Sequence, residues 1–203
     1  MITIIDYDAG NLTSVYRALK YIGVCAEVTN DPQRIKNAER IIFPGVGHAK
    51  SAMRSLKRKG IDAALKNVFD KQVPIMGICL GTQIILSHSQ EGDSRTLGLI
   101  EGECVKFDAG LPVKIPHIGW NNVEISREHF ILKDLKNGSE MYFVHSYYPV
   151  PADDKNVYAT SDHGIKFACA IGYKNLFAVQ FHPEKSGETG LGILKNFSVW
   201  DGK

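Results

Sequence analysis

The spacing of hydrophobic residues in the first half of the chain alternates between two periods. Short runs rich in β-branched residues, typical of buried strands, are followed by segments with apolar residues three and four positions apart, typical of helices. The predicted strands are residues 2–5, 24–29, 40–43 and 74–78, and the predicted helices are 11–22, a segment starting at 31–32, 49–70 with a break near Gly60, and 80–88. Parallel strands joined by helical crossovers have this order, so the pattern predicts an α/β sheet.

Beyond Gly98 the pattern changes to strand-like runs at short spacing. They cover residues 103–107, 121–125, 141–144, 157–160, 168–173 and 178–181. Strands joined by such short connections are antiparallel, so several of these are predicted to be antiparallel. A final amphipathic segment, residues 191–200, is predicted to be a helix that packs on the sheet. No repeat or linker interrupts the pattern, and residues 1–203 are expected to form one domain.

The composition is that of an ordinary globular protein and indicates no nucleic-acid partner. Of 203 residues, 44% are hydrophobic and 23% charged, and 24 basic against 22 acidic residues leave a net charge of +2. One basic cluster occurs in the predicted helix 49–70, at Arg54, Lys57, Arg58 and Lys59. Such a cluster is more typical of a solvated helix face than of a phosphate or RNA site.

Cysteine and histidine positions argue against a secreted scaffold and against a metal site. The four cysteines lie at 25, 79, 104 and 169, without the paired spacing of a disulfide framework or a zinc site. The seven histidines show no ligand spacing either. No apolar run is long enough for a membrane span, and the N-terminus lacks the features of a signal peptide. We therefore expect a cytoplasmic protein without metal or other cofactor.

A candidate nucleophile lies where the fourth predicted strand meets a helix. The sequence there is Gly77-Ile-Cys-Leu-Gly81, the Gly-x-nucleophile-x-Gly form of a nucleophile elbow. The flanking glycines remove side chains that would clash in a sharp turn, and the following helix favours the anionic thiolate of Cys79. A buried structural cysteine is the alternative interpretation of this residue alone.

A second candidate motif, Gln180-Phe-His-Pro-Glu184, follows the last strand-like run. On an extended chain, residues two positions apart point to the same side, so His182 and Glu184 can address one site. The carboxylate would orient the imidazole, which would act as base toward a thiol and then as acid toward a leaving amine. Combined with the elbow cysteine, the motif predicts a Cys-His-Glu triad.

The loop Pro44-Gly-Val-Gly47 follows the third predicted strand and is a candidate oxyanion hole. Backbone N–H groups of Gly45, Val46 and Gly47, with that of Leu80 after the nucleophile, could bind a developing oxyanion. An ordinary strand-to-helix turn has a similar composition. The position of the loop at the carboxyl end of a parallel strand favours a functional role.

These motifs together resemble the class I glutamine amidotransferases. The resemblance rests on Gly77-Ile-Cys-Leu-Gly-Thr-Gln83, Phe181-His-Pro-Glu-Lys-Ser186 and the loop at residues 44–47. More narrowly, the chain is similar to the glutaminase subunits of imidazole glycerol phosphate synthase, through Asp6-Tyr-Asp-Ala-Gly-Asn-Leu12, Pro116-His-Ile-Gly-Trp-Asn121 and Tyr142-Phe-Val-His-Ser-Tyr147. The resemblance implies a three-layer, flavodoxin-like fold, with a mostly parallel central sheet and additional antiparallel strands in the C-terminal half.

The same resemblance implies roles for individual residues. Cys79, His182 and Glu184 match the nucleophile, base and orienting acid of a glutaminase, and the loop 45–47 matches an oxyanion donor that acts once it has reoriented. Three further positions match those that hold glutamine: Gln83, Ser146 and Tyr147. Four match positions that face a partner subunit: Asn11, Trp120, Tyr142 and Lys185.

The implied partner is a (β/α)8-barrel cyclase subunit of the HisF type in a heterodimer. It would receive ammonia through a tunnel and form imidazole glycerol phosphate and an aminoimidazole carboxamide ribotide in histidine biosynthesis. A related amidotransferase subunit that serves another barrel synthase, and a subunit that only binds, remain alternatives. An α/β-hydrolase is disfavoured, because in that family the acid precedes the histidine by many residues.

One residue departs from the pattern of the family. Position 8 is aspartate, where the family usually has glycine. We expect Asp8 to add a charge near the partner surface and to leave the triad unaffected.

Overall fold

The computed structural model describes residues 1–203 and contains thirteen strands and six α-helices. The strands are β1 (Ile2–Ile5), β2 (Ala26–Thr29), β3 (Ile41–Gly45), β4 (Ile75–Cys79), β5 (His88–Ser89), β6 (Ser94–Arg95), β7 (Gly102–Lys106), β8 (His117–Ile125), β9 (Ser139–His145), β10 (Tyr147–Pro151), β11 (Val157–Asp162), β12 (Lys166–Tyr173) and β13 (Leu176–Val179). The helices are α1 (Leu12–Tyr21), α2 (Pro32–Lys36), α3 (Ala49–Lys59), α4 (Ile61–Asp70), α5 (Leu80–Ile84) and α6 (Gly187–Val199).

Nine strands form the central sheet, in the order β2-β1-β3-β4-β13-β12-β11-β8-β9. The neighbours from β2 to β13 are parallel, and those from β13 to β9 are antiparallel. The α/β sheet and its antiparallel C-terminal half were both predicted, although the antiparallel part is as extensive as the parallel part. A smaller sheet, β10-β7-β5-β6, lies beside it.

Alternate residues of the central strands pack into two separate hydrophobic clusters, one on each face of the sheet. In β13, for example, Phe177 and Val179 belong to one cluster, whereas Leu176 and Ala178 belong to the other. Helices α1 and α6 cover the first face, and α2, α3 and α4 cover the second. The result is the three-layer arrangement. None of the helices has the length and apolar character required to cross a membrane.

The predicted helix 80–88 is wrong in its second half. Helix α5 ends at Ile84, and the chain enters β5 at His88. The carbonyls of residues 84–86, which would continue the helix, accept hydrogen bonds from the backbone N–H groups of residues 97–100 instead, at 2.7–3.1 Å. This returning segment contributes the buried side chains of Leu97 and Ile100, so tertiary packing ends the helix.

The sequence pattern also missed three strands. Strands β5 and β6 have only two residues each, too few for a periodic signal. Strand β10 contains Pro149 and Pro151, which oppose strand formation, and it lies at the edge of the smaller sheet, where proline is tolerated. The predicted segments 121–125 and 178–181 correspond to longer or shifted strands, β8 and β13.

The break at Gly60 is confirmed: this residue separates α3 from α4 in a left-handed conformation.

Tyr7 lies under the carboxyl end of β3 and is completely buried. Its ring packs on Phe43 at a centroid distance of 4.9 Å. Its hydroxyl occupies the space beside Gly45: a Cβ atom on Gly45 would be 1.9 Å from this oxygen. The hydroxyl has no hydrogen-bond partner, and burial, followed by the nearby Cys79, raises the Tyr7 pKa well above its ordinary value. The residue thus fills volume under the loop 45–47 at the cost of an unpaired polar atom.

We expect the substitution Tyr7→Phe to raise the free energy of unfolding by about 1 kcal/mol, because it removes a buried hydroxyl that has no partner. Urea denaturation of the two proteins measures this difference. A tyrosine hydroxyl with a good hydrogen bond would behave in the opposite way. A loss of stability on substitution would therefore show that the hydroxyl is paired in solution.

Gly81 allows α5 to pass directly over β3. A Cβ atom at this position would lie 1.9 Å from the backbone oxygen of Phe43. We therefore expect Gly81→Ala to lower the free energy of unfolding by about 3 kcal/mol or more, since strand and helix must separate. Gly192→Ala in α6 is the matched control, because a Cβ atom there meets nothing within 4 Å. It should be neutral or slightly stabilising, and equal losses in both variants would contradict this account.

Candidate active site

The candidate nucleophile lies in a strained turn between β4 and α5. Cys79 has φ 53° and ψ −106°, a conformation that a residue with a side chain rarely adopts. Gly77 and Gly81 make the turn possible: a Cβ atom on Gly77 would be 2.9 Å from that of Ala178. These are the properties expected of a nucleophile elbow. Cys79 is 5% exposed, and its sulfur lies 3.8 Å from the carbonyl oxygen of Val144.

Parallel pairing of β4 with β13 brings the motif at residues 180–184 close to Cys79. Ile78 is the register partner of Val179, so the residues that follow β13 lie beside Cys79. Helix α5 is fixed to the same strand, because the Thr82 hydroxyl donates to the Val179 carbonyl at 2.6 Å. Gln180, the next residue, donates from Nε2 to the Cys79 sulfur at 3.7 Å.

His182 and Glu184 form a buried pair. Imidazole Nδ1 lies 2.8 Å from carboxylate Oε1, and their side chains are 2% and 0% exposed. The predicted proximity of these side chains is present, but the chain is not extended through them. Residues Pro183–Lys185 form a 3-10 turn that returns the carboxylate to the imidazole. The backbone N–H of His182 donates to the Tyr142 carbonyl at 2.9 Å, which fixes the motif to β9.

The surroundings of His182 favour its protonated form. Burial lowers the pKa of the imidazole, but hydrogen bonds and charge interactions with Cys79 and Glu184 outweigh it and raise the pKa to about 10. An imidazolium held between a sulfur and a carboxylate can deliver a proton to a leaving group. The pair therefore has the geometry and charge required of an acid in amide hydrolysis.

Asn11 contacts the triad and not only the surface. It precedes α1 in a left-handed conformation, with φ 79°, and its side-chain Nδ2 donates to Glu184 Oε1. The second carboxylate oxygen, Oε2, is buried without a partner. Asn11 was predicted only as a residue facing a partner. Its contact with Glu184 spans 173 positions of the chain and leaves no local signal in the sequence.

The predicted oxyanion loop lies next to the nucleophile. Gly45 ends β3 and is the register partner of Cys79, while Val46 is 39% exposed and Gly47 has φ 123°. Leu80 follows Cys79 in the chain, and a Cβ atom on Gly45 would be 3.3 Å from that of Leu80. The loop and the first residue of α5 are thus adjacent, as an oxyanion hole requires.

The predicted glutamine-binding residues also meet beside Cys79. Gln83 is buried, and its Nε2 donates to the Tyr147 carbonyl at 3.1 Å and to Gln180 Oε1 at 3.2 Å. Ser146 and Tyr147 follow β9, the strand whose Val144 carbonyl contacts the thiol. Gln180 was not predicted as a site residue, although it belongs to the quoted motif and connects Gln83 to Cys79.

The predicted partner-facing residues cluster at one edge of the site. Trp120 and Tyr142 are register partners on β8 and β9, with ring centroids 5.9 Å apart, and Lys185 Nζ lies 5.8 Å from the Tyr142 ring. The pair Ile118 and Val144 lies next to them on the same strands. Ile118, Trp120 and Val144 are 61%, 54% and 36% exposed, so an apolar patch adjoins the nucleophile.

Asp8 is neutralised by the basic cluster of α3. Its carboxylate accepts from the Ser55 hydroxyl at 2.6 Å, from Arg58 at 2.9 Å and from Lys59 at 2.7 Å. Hydrogen bonds from Lys59 and Ser55 lower the Asp8 pKa. The charge expected at a partner surface is therefore compensated within the chain, and two of the four basic residues have an intramolecular partner.

Comparisons with known proteins agree with this geometry. The family model described as "Glutamine amidotransferase class-I" matches residues 3–199. Three curated relatives carry the name "Imidazole glycerol phosphate synthase subunit HisH". They come from Nitratidesulfovibrio vulgaris (46% identity; 98% of this chain, 97% of the relative), Moorella thermoacetica (47%; 97% and 93%) and Caldanaerobacter subterraneus subsp. tengcongensis (48%; 97% and 97%).

Solved structures of low sequence identity share the fold. The structure of PurLQS from Thermotoga maritima superposes with a TM-score of 0.76 at 18% identity, covering 97% of this chain and 96% of that one. The glutaminase domain of CTPS from Trypanosoma brucei gives 0.65 at 16% identity, with 97% and 92% covered. Since the family model and the relatives span nearly the whole sequence, the chain belongs to the class I glutamine amidotransferases, among the HisH subunits of imidazole glycerol phosphate synthase.

Proposed function

We propose that this chain hydrolyses the side-chain amide of glutamine to glutamate and ammonia, with Cys79 as nucleophile, His182 as acid and base, and Glu184 as the group that orients His182. The observation that carries the proposal is the buried His182–Glu184 pair, 2.8 Å apart, next to a cysteine in a nucleophile elbow. Family membership supplies the substrate class.

The first half-reaction forms a thioester. The thiolate of Cys79 attacks the amide carbon, and the carbonyl electron pair moves to oxygen. Backbone N–H groups of the loop 45–47 and of Leu80 bind this oxyanion. When the electron pair on this oxygen re-forms the carbonyl bond, the carbon–nitrogen bond breaks, and His182 donates its proton to the leaving nitrogen. Ammonia departs, and the glutamyl group stays on the sulfur.

The second half-reaction restores the enzyme. His182, now neutral, takes a proton from a water molecule as that water attacks the thioester carbon. A second tetrahedral intermediate forms at the same oxyanion site. It collapses with cleavage of the carbon–sulfur bond, which releases glutamate and returns the sulfur as thiolate beside the imidazolium. Glu184 holds the ring in both halves through Nδ1, so that Nε2 faces the reacting atoms.

Gln83 and the backbone at Ser146 and Tyr147 are the proposed contacts for the glutamine molecule. Both donor positions of Gln83 Nε2 are occupied within the chain, by the Tyr147 carbonyl and by Gln180. Gln83 Oε1 accepts no hydrogen bond from the chain and is therefore the atom that Gln83 offers to an N–H group of the substrate. Gln83 therefore offers the ligand a hydrogen-bond acceptor.

The proposed partner is the cyclase subunit of imidazole glycerol phosphate synthase, a (β/α)8 barrel of the HisF type, in a heterodimer. Two observations support it: the names of the relatives, and the apolar patch of Ile118, Trp120 and Val144 beside the nucleophile. Ammonia released into water at neutral pH becomes mostly ammonium, as amines do, and ammonium is not a nucleophile. A partner that seals this edge would receive ammonia unprotonated and add it to a phosphorylated nucleotide intermediate.

We place the reaction in the cytoplasm. All four cysteines are free thiols, and the reaction requires Cys79 to remain reduced.

Glutamate release should depend on both the partner and the cysteine. We expect the purified chain to turn over glutamine strongly only with the barrel cyclase and its nucleotide ligand. Cys79→Ala should lose at least about 10³-fold in rate, because no other group can form the thioester. Cys104→Ala is the control, since burial raises the pKa of that thiol and it lies outside the site.

Equal loss in both cysteine variants would argue for unfolding and against nucleophilic catalysis. Turnover with a different barrel synthase, and none with this one, would keep the triad and replace the pathway. No turnover with any partner would favour a subunit that only binds.

The pH profile should report the His182–Glu184 pair. The imidazolium is present below its raised pKa of about 10 and is lost as the pH rises through that value. Glu184→Gln removes a hydrogen bond and a negative charge that raise this pKa. We therefore expect the alkaline limb of kcat to move to lower pH by about one unit or more, and kcat to fall on the order of 10²-fold or more.

Glu188→Gln, an exposed carboxylate of α6 four positions along the chain, is the matched control. Its profile should coincide with that of the original protein. An unshifted alkaline limb in Glu184→Gln would show that Glu184 does not act through His182.

A further inference from the structure

Two buried histidines outside the triad lie opposite each other on neighbouring strands. His117 begins β8 and His145 ends β9, and the two are register partners. They are 4% and 5% exposed. Both belong to motifs quoted from the sequence, Pro116-His-Ile-Gly-Trp-Asn121 and Tyr142-Phe-Val-His-Ser-Tyr147. The proposed chemistry uses neither imidazole.

The hydrogen bonds of the pair determine which nitrogen of each ring carries the proton. His145 Nδ1 lies 2.8 Å from the Tyr147 carbonyl, which can only accept, so Nδ1 is protonated. His145 Nε2 is then an acceptor, and His117 Nδ1, 2.9 Å away, must donate to it. His117 Nε2 in turn accepts from Asn121 Nδ2 at 3.1 Å. All four ring nitrogens therefore take part in hydrogen bonds, and each bond is donated in the same direction: from Asn121 to His117, from His117 to His145, and from His145 to Tyr147.

This arrangement exists only while both rings are neutral. Burial lowers the pKa of His145 to about 3 and that of His117 to about 4. The other ionisable groups that face them are His163, stacked on His117 at a centroid distance of 4.0 Å, and His182, both of which oppose a further positive charge. At neutral pH each ring therefore keeps one donor and one acceptor.

The chain of hydrogen bonds continues to the nucleophile. The Tyr147 carbonyl that accepts from His145 also accepts from Gln83 Nε2, at 3.1 Å. Gln83 donates to Gln180, and Gln180 donates to the Cys79 sulfur, at 3.2 and 3.7 Å. Asn121, at the other end, is anchored by its second donor to the Asp162 carbonyl at 2.7 Å. One connected set of polar groups thus links β8 to the sulfur.

We propose that His117 and His145 are positioning residues for glutamine: by fixing the Tyr147 carbonyl, they hold the Gln83 side chain with its Oε1 directed at the substrate. The inference rests on the proposed function, since Gln83 and Tyr147 matter in this way only if glutamine binds there. Without His145, the Tyr147 carbonyl loses one of its two hydrogen-bond donors, and the Gln83 amide is held less firmly, through Tyr147 and Gln180 alone. Substrate binding then suffers more than the chemical step at Cys79.

A purely structural role makes a different prediction. Both rings pack among aromatic side chains: Phe143 lies 4.8 Å from His117, and Phe107 lies 5.3 Å from His145, between ring centroids. If packing were their function, phenylalanine would replace either histidine with little effect, because ring size and stacking are retained.

The test is the steady-state kinetics of glutamate release by the complete complex with the barrel cyclase and its nucleotide ligand. We expect His145→Phe to raise the KM for glutamine about 3- to 10-fold, with kcat within about 3-fold, as the loss of one neutral hydrogen bond allows. His145→Asn places an amide donor near the position of Nδ1 and should restore most of the KM. An unchanged KM in His145→Phe would overturn the proposal.

His163→Phe is the matched control. His163 belongs to the same aromatic cluster, but its Nε2 donates to the Lys114 carbonyl, outside the chain of bonds that reaches Cys79. Its KM should equal that of the original protein. If the original complex shows no glutamate release, the proposed function fails. If it does and His145→Phe matches it, only the present inference fails.

A second measurement is independent of activity and of whether the variants fold. Long-range proton–nitrogen NMR correlations of the unmodified protein identify the protonated nitrogen of each imidazole. We expect protonation at Nδ1, and not at Nε2, in both His117 and His145 at neutral pH. A proton on Nε2 of His145 would break the deduced direction of the chain and refute the proposal.

Discussion

The site depends on one conformational constraint, the turn at Cys79. A residue with a side chain is held at φ 53° where β4 passes directly into α5. Gly77 lies against β13, and Gly81 lies against the backbone of Phe43 in β3. A larger residue at either position would separate α5 from the sheet. The turn therefore sets the position of the sulfur and also that of Gln83, which α5 carries.

The surroundings of this turn are polar, buried and almost completely paired. Gln83, Gln180, His117 and His145 each have hydrogen-bond partners, so the low dielectric of the interior strengthens these contacts. The unpaired atoms are informative for the same reason. The Tyr7 hydroxyl lies beside the loop 45–47, and Glu184 Oε2 lies in the triad. Both are next to elements that the proposed reaction requires to bind charge or to move.

The residue pattern predicted the parallel half of the fold and the proximity of the motif residues, for a physical reason. Buried parallel strands and their helices carry strong periodic signals, and an elbow or a His-Pro-Glu turn requires particular residue types within a few positions. The structure brings Cys79, His182 and Glu184 together as those motifs indicated, and the fold class is confirmed.

The remaining features depend on contacts between distant segments. Helix α5 ends at Ile84 because the N–H groups of residues 97–100 donate to the carbonyls of residues 84–86. No local property of residues 80–88 indicates this. Strand β10 forms in spite of two prolines because it lies at an edge. Asn11 contacts Glu184, which lies 173 positions later in the sequence. The proton direction through His117 and His145 likewise follows only from three-dimensional distances.

The position of β13 has a consequence for how the protein is made. This strand lies between β4 and β12 in the sheet, yet it follows β4 by about a hundred residues in the chain. A ribosome therefore completes the cysteine strand long before the histidine exists. Until β13 inserts beside β4, the nascent chain has a sulfur without its acid, and such long-range pairing is a late event in folding. On the proposed mechanism, a nascent chain without β13 has the nucleophile but lacks the acid, and so it cannot hydrolyse glutamine.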